Sequence, residues 1–247
     1  MVQWIQGRIV GKNVWAERFV SLRVDADIAP FEAGQFIKLG LETGAEIIGR
    51  PYSLINAPGE QPLEFCFSVV PGGPLSGPLA ALNAGDAVLV APHASGFLIL
   101  REVISGSHLW LIASGTGVGP FLSILKTAQP WQRFERVILV QAARLASELM
   151  YRDTISELAK THADKFVFIP FISRESTDFA LPGRISQAIE NGQLEIRAGT
   201  EFSAAQSQVM LCGNPQMVAE VQRLLIERGL RKNKRFDPGN ISVENYW

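Results

Sequence analysis

The pattern of apolar and polar positions changes near residue 100. Before it, short runs of Val, Ile, Phe and Leu are separated by Gly, Pro and Asn, at residues 4–10, 18–24, 35–41, 47–54, 63–70 and 87–90. Six strand-length runs at this spacing predict an antiparallel barrel or sandwich. One short helix is predicted at 77–82. After residue 100, continuous apolar runs at 109–114, 137–141, 166–172 and 208–212 alternate with helical periodicity at 119–128, 148–162, 183–191 and 216–228. Uninterrupted apolar strands alternating with helices predict a parallel sheet covered on both faces, with right-handed crossovers. The fold class is therefore β followed by α/β. An antiparallel β-barrel occupies 1–100 and a Rossmann-like parallel-sheet domain occupies 101–247.

Ligands of open parallel sheets bind beyond the carboxyl ends of the strands. That rule directs attention to residues 115–120, 142–144, 173–174 and 213–216.

Composition narrows the class. Of 247 residues, 47% are hydrophobic and 19% charged, enough apolar surface for a large core, which excludes disorder. Two cysteines cannot form a disulfide scaffold, nor supply the roughly four thiolates of an iron–sulfur cluster. No metal site is expected. A net charge of −1 argues against a nucleic-acid binder, but it divides into −3 over 1–100 and +2 over 101–247. The start has no basic region followed by an apolar one, as a signal peptide would. Apolar runs fall far short of the ~20 residues of a membrane helix. A cytoplasmic protein with reduced thiols, not inserted in a membrane, is expected.

Several short motifs carry candidate chemistry. Arg50-Pro51-Tyr52-Ser53 ends a strand with a basic, an aromatic and a hydroxyl side chain. Arg50 and Tyr52 would share one face and Ser53 the other. Such a set suits a phosphate, a flat ring and a ring nitrogen; a half-exposed strand is the plainer reading. Gly72-Gly73-Pro74-Leu75-Ser76-Gly77 offers free N–H groups to an anion, or is a turn with Ser76 as helix cap. Ser114-Gly115-Thr116-Gly117-Val118-Gly119-Pro120 follows a strand and precedes a helix, as a dinucleotide loop does. Its third glycine comes one residue early for the strict fingerprint. The next strand leads to Ala142-Ala143-Arg144, where an NAD site would be expected to place an acid; an Arg suits a 2′-phosphate instead. Arg174 and Arg184 follow, either as an NADP-selecting cluster or as solvated arginines. Cys212, in Cys212-Gly213-Asn214-Pro215-Gln216, is a buried plug or a redox-adjacent contact. The chain ends Glu244-Asn245-Tyr246-Trp247, two aromatics suited to packing on a flat ring or on the protein surface. Five of the eight residues 228–235 are basic, a solvated face or a surface that steers an acidic partner.

In this order the motifs resemble the plant-type ferredoxin–NADP+ reductase family, above all its bacterial ferredoxin/flavodoxin reductases that end in Tyr-Trp. The resemblance spans essentially the whole chain. It implies an FAD-binding barrel and an NADP-binding sheet domain. Arg50 would hold the FAD pyrophosphate, Tyr52 cover the flavin and Ser53 face its N5 edge. Cys66, Phe67, Ser68 and Val69 would line the flavin. Pro74, Leu75 and Ser76 would form the pyrophosphate turn. Thr116 would contact the flavin side of the NADP domain. Ala143, Arg144, Ser173, Arg174 and Arg184 would bind the 2′-phosphate end, and Asn214, Pro215 and Gln216 the rest of the nucleotide. Cys212 would lie near the nicotinamide, completing a catalytic set with Tyr52 and Ser53. Tyr246 and Trp247 would pack on FAD. Pro51 departs from the pattern, because it removes a strand N–H.

The implied activity is electron exchange between NADPH and a one-electron carrier, an acidic ferredoxin or flavodoxin, by a monomer. Lacking cysteines for a cluster of its own, the chain would need that carrier as a separate protein. Alternatives are a reductase of free flavin or other small acceptors, a subunit of a larger electron-transfer complex, and a non-catalytic nucleotide-binding module.

Overall fold

The computed structural model describes residues 3–44 and 46–245. Its first half is a six-stranded antiparallel sheet of β1 (Ile5–Ala16), β2 (Phe19–Asp25), β3 (Phe36–Thr43), β4 (Glu46–Ser53), β5 (Leu63–Ser68) and β6 (Ala87–Val90). The spatial order is β4-β3-β6-β1-β2-β5. Along β1, Gly7 and Ile9 are buried while Gln6, Arg8 and Val10 are exposed, the alternation of a sheet with one dry face. Ile9, Leu22, Val24, Leu39, Phe65 and Val90 fill that face. The expected barrel is only partly realised. Leu54, just after β4, bridges to Phe65 on β5, and Ile55 N–H donates to Glu64 O at 3.1 Å. The two sheet edges thus meet at one corner rather than along a full ladder. A short helix, α1 (Ser76–Ala81), lies between β5 and β6.

The second half is a parallel sheet of β7 (His108–Ser114), β8 (Arg136–Ala143), β9 (Phe166–Ile172), β10 (Leu181–Pro182), β11 (Ser207–Gly213) and β12 (Ile241–Asn245), in the order β10-β9-β8-β7-β11-β12. Its helices are α2 (Gly119–Leu125), α3 (Gln129–Arg133), α4 (Arg152–Thr161), α5 (Ile185–Glu190), α6 (Gln193–Ala198) and α7 (Pro215–Glu227). The central strands are dry on both sides. Leu109, Leu111 and Ala113 of β7 face one core with Leu122 and Leu125, whereas Trp110 and Ile112 face another with Val218 and Val221.

Three boundaries differ from expectation. The helix predicted over 119–128 stops at Leu125, and α3 starts afresh with Pro130 in its first turn. The helix predicted from residue 148 starts at Arg152, because Tyr151 sits at φ 62°, a conformation that breaks a right-handed helix. Residues 243–245, expected as part of a terminal tail, belong to edge strand β12 beside β11.

The halves are pinned to each other. Tyr151 packs at a tilt against Trp15 of β1 with ring centroids 4.5 Å apart, and its hydroxyl donates to Glu64 Oε1 on β5 at 2.7 Å. Ser123 Oγ of α2 donates to Asn56 O at 2.5 Å. Among the described residues, no helix is long and apolar enough to cross a membrane.

Candidate active site

A cleft of about 1350 Å³ opens between the two sheets. It exceeds the ~300–1,000 Å³ of a usual small-ligand site, leaving room for more than one nucleotide. Almost every described residue singled out from sequence lines it; Cys212 and Pro215 do not. Tyr246 and Trp247 lie outside the described residues.

The antiparallel wall is made by β4, β5 and the turn before α1. The sheet order explains Pro51. Strand β4 is an edge that pairs only with β3, so a missing N–H breaks no second ladder. Arg50 is exposed and donates from Nη1 to Gly49 O at 2.9 Å. Tyr52 is half-buried and tilted against Phe67 at 5.4 Å. Burial pushes its phenol up to about 12, although Arg50 pulls the other way. Ser53 is buried opposite Phe36. From β5 come Cys66, Phe67 and Ser68, followed by Val69. Burial pushes the Cys66 thiol far above its ordinary value, so it stays protonated. In the turn, Gly72 takes φ 69° and Ser76 Oγ accepts from Val70 N–H at 2.9 Å. Ser76 is therefore the first helical residue, and its hydroxyl closes the turn instead of capping the helix. Pro74, Leu75 and Ser76 face the cleft.

The parallel wall is made by strand ends. Residues 115–118 form one tight turn carrying Thr116. A Cβ on Gly117 would stand 2.4 Å from Cys212 O. Gly213, at φ 130°, would place one 2.5 Å from Ser114 Oγ. The two glycine motifs thus pack backbone against backbone, and Asn214 N–H donates to Ser114 Oγ at 2.9 Å. Asn214 Oδ1 accepts from the N–H groups of Gln216 and Met217, capping α7, with Pro215 at its start. Cys212 is fully buried in the core beneath Gly213, as a plug would be.

Arg144, Ser173, Arg174 and Arg184 gather at this end beside Ala143. Arg174 N–H donates to Arg144 O at 2.9 Å, and Ser173 N–H to Ala143 O at 3.2 Å, which joins the loops after β8 and β9. Two carboxylates that sequence reasoning passed over stand among them. Glu148 accepts from Arg144 Nη2 at 2.6 Å, Nε at 3.3 Å and its backbone N–H at 3.0 Å. Burial pushes the Glu148 carboxyl up, but these hydrogen bonds outweigh it and hold it below its ordinary value. Glu220 stands 3.8 Å from Arg184 and accepts from Ser186 Oγ and Gln216 Nε2, each at 2.9 Å.

Glu244 was also passed over. It lies on β12 in register with Cys212 and lines the cleft. Its Oε2 is buried and has no partner among the described residues. Burial pushes its carboxyl up to about 7. An acid within the terminal aromatic motif was the available signal. The basic run 228–235 is not part of the cleft. Arg228 pairs with Glu195 at 2.6 Å and Arg231 with Asp237 at 3.2 Å. Lys232 bridges to Ile241, the first residue of β12, which puts the run at the amino ends of the parallel strands.

A curled antiparallel sheet and a parallel sheet share one arginine-rimmed cleft whose lining suits nucleotides. Residues 111–223 match the model of the oxidoreductase NAD-binding domain. The flavodoxin/ferredoxin–NADP reductase of Escherichia coli (strain K12) is 44% identical over 248 residues, covering all of both chains. The ferredoxin–NADP reductase of Pseudomonas aeruginosa is 31% identical, covering 96% of this chain and 95% of its own. A crystal structure of a ferredoxin NADP+ reductase from Neisseria gonorrhoeae with bound FAD and NADP superposes with a TM-score of 0.94, at 28% identity and complete coverage of both chains. The chain belongs to the flavodoxin/ferredoxin–NADP reductase family.

Proposed function

We propose that the protein moves electrons between NADPH and a ferredoxin or flavodoxin through FAD held in the cleft. The observation that carries this reading is the single cleft shared by Arg50-Pro51-Tyr52-Ser53 on one wall and the strand-end arginines on the other. The residues present fit both nucleotides. Arginines and the open turn before α1 suit phosphates, the half-buried Tyr52 suits a ring face, and Glu244 Oε2, buried with no partner among the described residues, suits a polar group of the nucleotide. When bound, FAD accepts a hydride and passes electrons on singly.

The chain's own residues bind and orient. Arg50 holds the FAD pyrophosphate with the Pro74–Leu75–Ser76 turn, and Tyr52 covers the ring. Ser53 hydrogen-bonds at the reacting edge, and Cys66 to Val69 line the ring with backbone groups. Thr116 meets the flavin from the NADP side. Cys212 supports Gly213 from below, which sets how closely a nicotinamide can approach. Ala143, Arg144, Ser173, Arg174 and Arg184 take the 2′-phosphate end, and the loop 214–216 takes the rest. Tyr246 and Trp247 pack on FAD, so deleting both should loosen FAD. The reading extends to a cytoplasmic monomer whose acidic carrier docks at the flavin edge of the cleft. The basic run is at the amino ends of the parallel strands, not at that edge.

The test is NADPH-driven reduction of purified ferredoxin and flavodoxin with cytochrome c as final acceptor. Turnover through either carrier is expected. A colourless protein that takes up no added FAD, or one that reduces only free flavin or ferric chelates, would overturn the reading.

A further inference from the structure

Arg144 does not wait at the cleft as a bare cation. Its Nε and Nη2 are both given to Glu148, and its backbone N–H goes to the same carboxylate. Glu148 is no rim residue: its side chain is 10% exposed, against 35% for Arg144. The carboxylate cannot join α4, since residues 146–148 form a separate tight turn and Tyr151 at φ 62° intervenes before Arg152. It is thus fixed by local backbone and by three hydrogen bonds from Arg144. Arg174, which shares the rim, shows no such side-chain carboxylate among the described residues, and Arg184 meets Glu220 only at 3.8 Å.

This geometry has two consequences for an incoming anion. A guanidinium offers five N–H groups, on a side edge of Nε with Nη2 and an end edge of Nη1 with Nη2. Glu148 occupies the side edge, so a phosphate must approach the end edge. The carboxylate also offsets much of the cation's charge at the place where a dianionic phosphate would bind. Orientation favours binding, and the counter-charge weakens it.

Resting on the NADP reading above, we propose that Glu148 is a positioning and specificity residue. It aims the end edge of Arg144 at the 2′-phosphate and moderates its grip, so that NADPH is selected without being held tightly as spent NADP+. The residue acts through Arg144 and touches neither the hydride donor nor its acceptor.

The experiment compares binding of adenosine 2′,5′-bisphosphate with that of adenosine 5′-monophosphate by calorimetry on the FAD-loaded full chain. The ratio of the two affinities isolates the 2′-phosphate. Glu148→Gln keeps the shape and an acceptor but removes the charge, and should raise the ratio about fivefold, with a steeper salt dependence. Glu148→Asp keeps the charge and should leave the ratio within about twofold, a contrast that a purely structural role would not produce. Arg144→Ala should lower the ratio at least tenfold or so, and adding Glu148→Gln to it should restore nothing. A ratio lost in Arg144→Ala but unchanged or lower in Glu148→Gln overturns the proposal alone. An equal rise in Glu148→Asp and Glu148→Gln also overturns it. A ratio unmoved by Arg144→Ala also overturns the proposal alone, and a ratio near one in the native protein overturns the NADP reading and this proposal together.

Discussion

The two walls of the cleft present their chemistry by different means. The antiparallel wall works along its edge strands, β4 and β5, which lay the runs Arg50–Ser53 and Cys66–Ser68 along the cleft, with neighbouring side chains on opposite faces of the strand. The parallel wall works from its strand ends, where loops carry arginines, each free to swing until something holds it. On the first wall, position within the strand nearly decides orientation. On the second, a carboxylate sets the orientation of Arg144, and backbone hydrogen bonds lock one loop against the next. A strand can therefore be read as a row, whereas a set of loop ends must be read as a network.

That contrast can be broken most sharply at the loop lock. Gly117→Val should destabilise the protein by about 4 kcal/mol, because its side chain meets a backbone carbonyl that cannot yield. Chemical denaturation would show it, and a loss under about 1 kcal/mol would mean that the turn shifts freely. Next, removing Arg144 and Arg174 together, each by substitution to Ala, should cut the preference for NADPH over NADH by about 3 kcal/mol, roughly 150-fold, with NADH use little changed. Equal losses with both nucleotides would show that the arginines ignore the 2′-phosphate.

Glu244→Gln probes the seam between the walls. Below its ordinary value of 4.5 the carboxyl is protonated whether the chain is folded or not, and burial then has no charge to oppose. Between 4.5 and about 7 only the unfolded chain gives up the proton, so stability falls as pH rises; above that the full penalty stands. The Gln variant should therefore gain about 3 kcal/mol over the native protein near pH 8 and almost nothing near pH 4.5, read by urea melts of FAD-free protein. A constant difference at both pH values would refute the titration. The smallest expected effect is at the pin between halves. Tyr151→Phe keeps the tilted ring contact with Trp15 and removes the hydrogen bond to Glu64, which should lower the thermal midpoint by the equivalent of about 1 kcal/mol. No change in a thermal melt would assign the pinning to the rings alone.

The same contrast explains what the sequence disclosed. Periodicity located all six strands of the first sheet and the four central strands of the second, because those runs are apolar on one face or on both. The short helices α3 and α6, five and six residues long, carry too little periodic signal to be seen. Strand β12 was hidden because it lies at an edge and reads as a mixed tail. Arginines were visible as letters, but Glu148 and Glu220 were not, since nothing local says which surface acid will turn inward. Cys212 read from sequence as either a buried plug or a contact near the redox centre, and its full burial is that of a plug. The barrel expectation was close, with closure reduced to a bridge at Leu54 and Phe65.

The mutual fit of Gly117 and Gly213 has a consequence for recombination. Segments about 100 residues apart meet with no room for a Cβ on either glycine, and Ser114 Oγ accepts from Asn214 N–H across the seam. A hybrid gene whose crossover falls between residues 120 and 207 would take one half of this joint from each parent. Parents that differ there in backbone path would give a misfitted seam even if each half were sound in its own chain. Crossovers near residue 100 keep the joint intact and place the junction where the two sheets already divide.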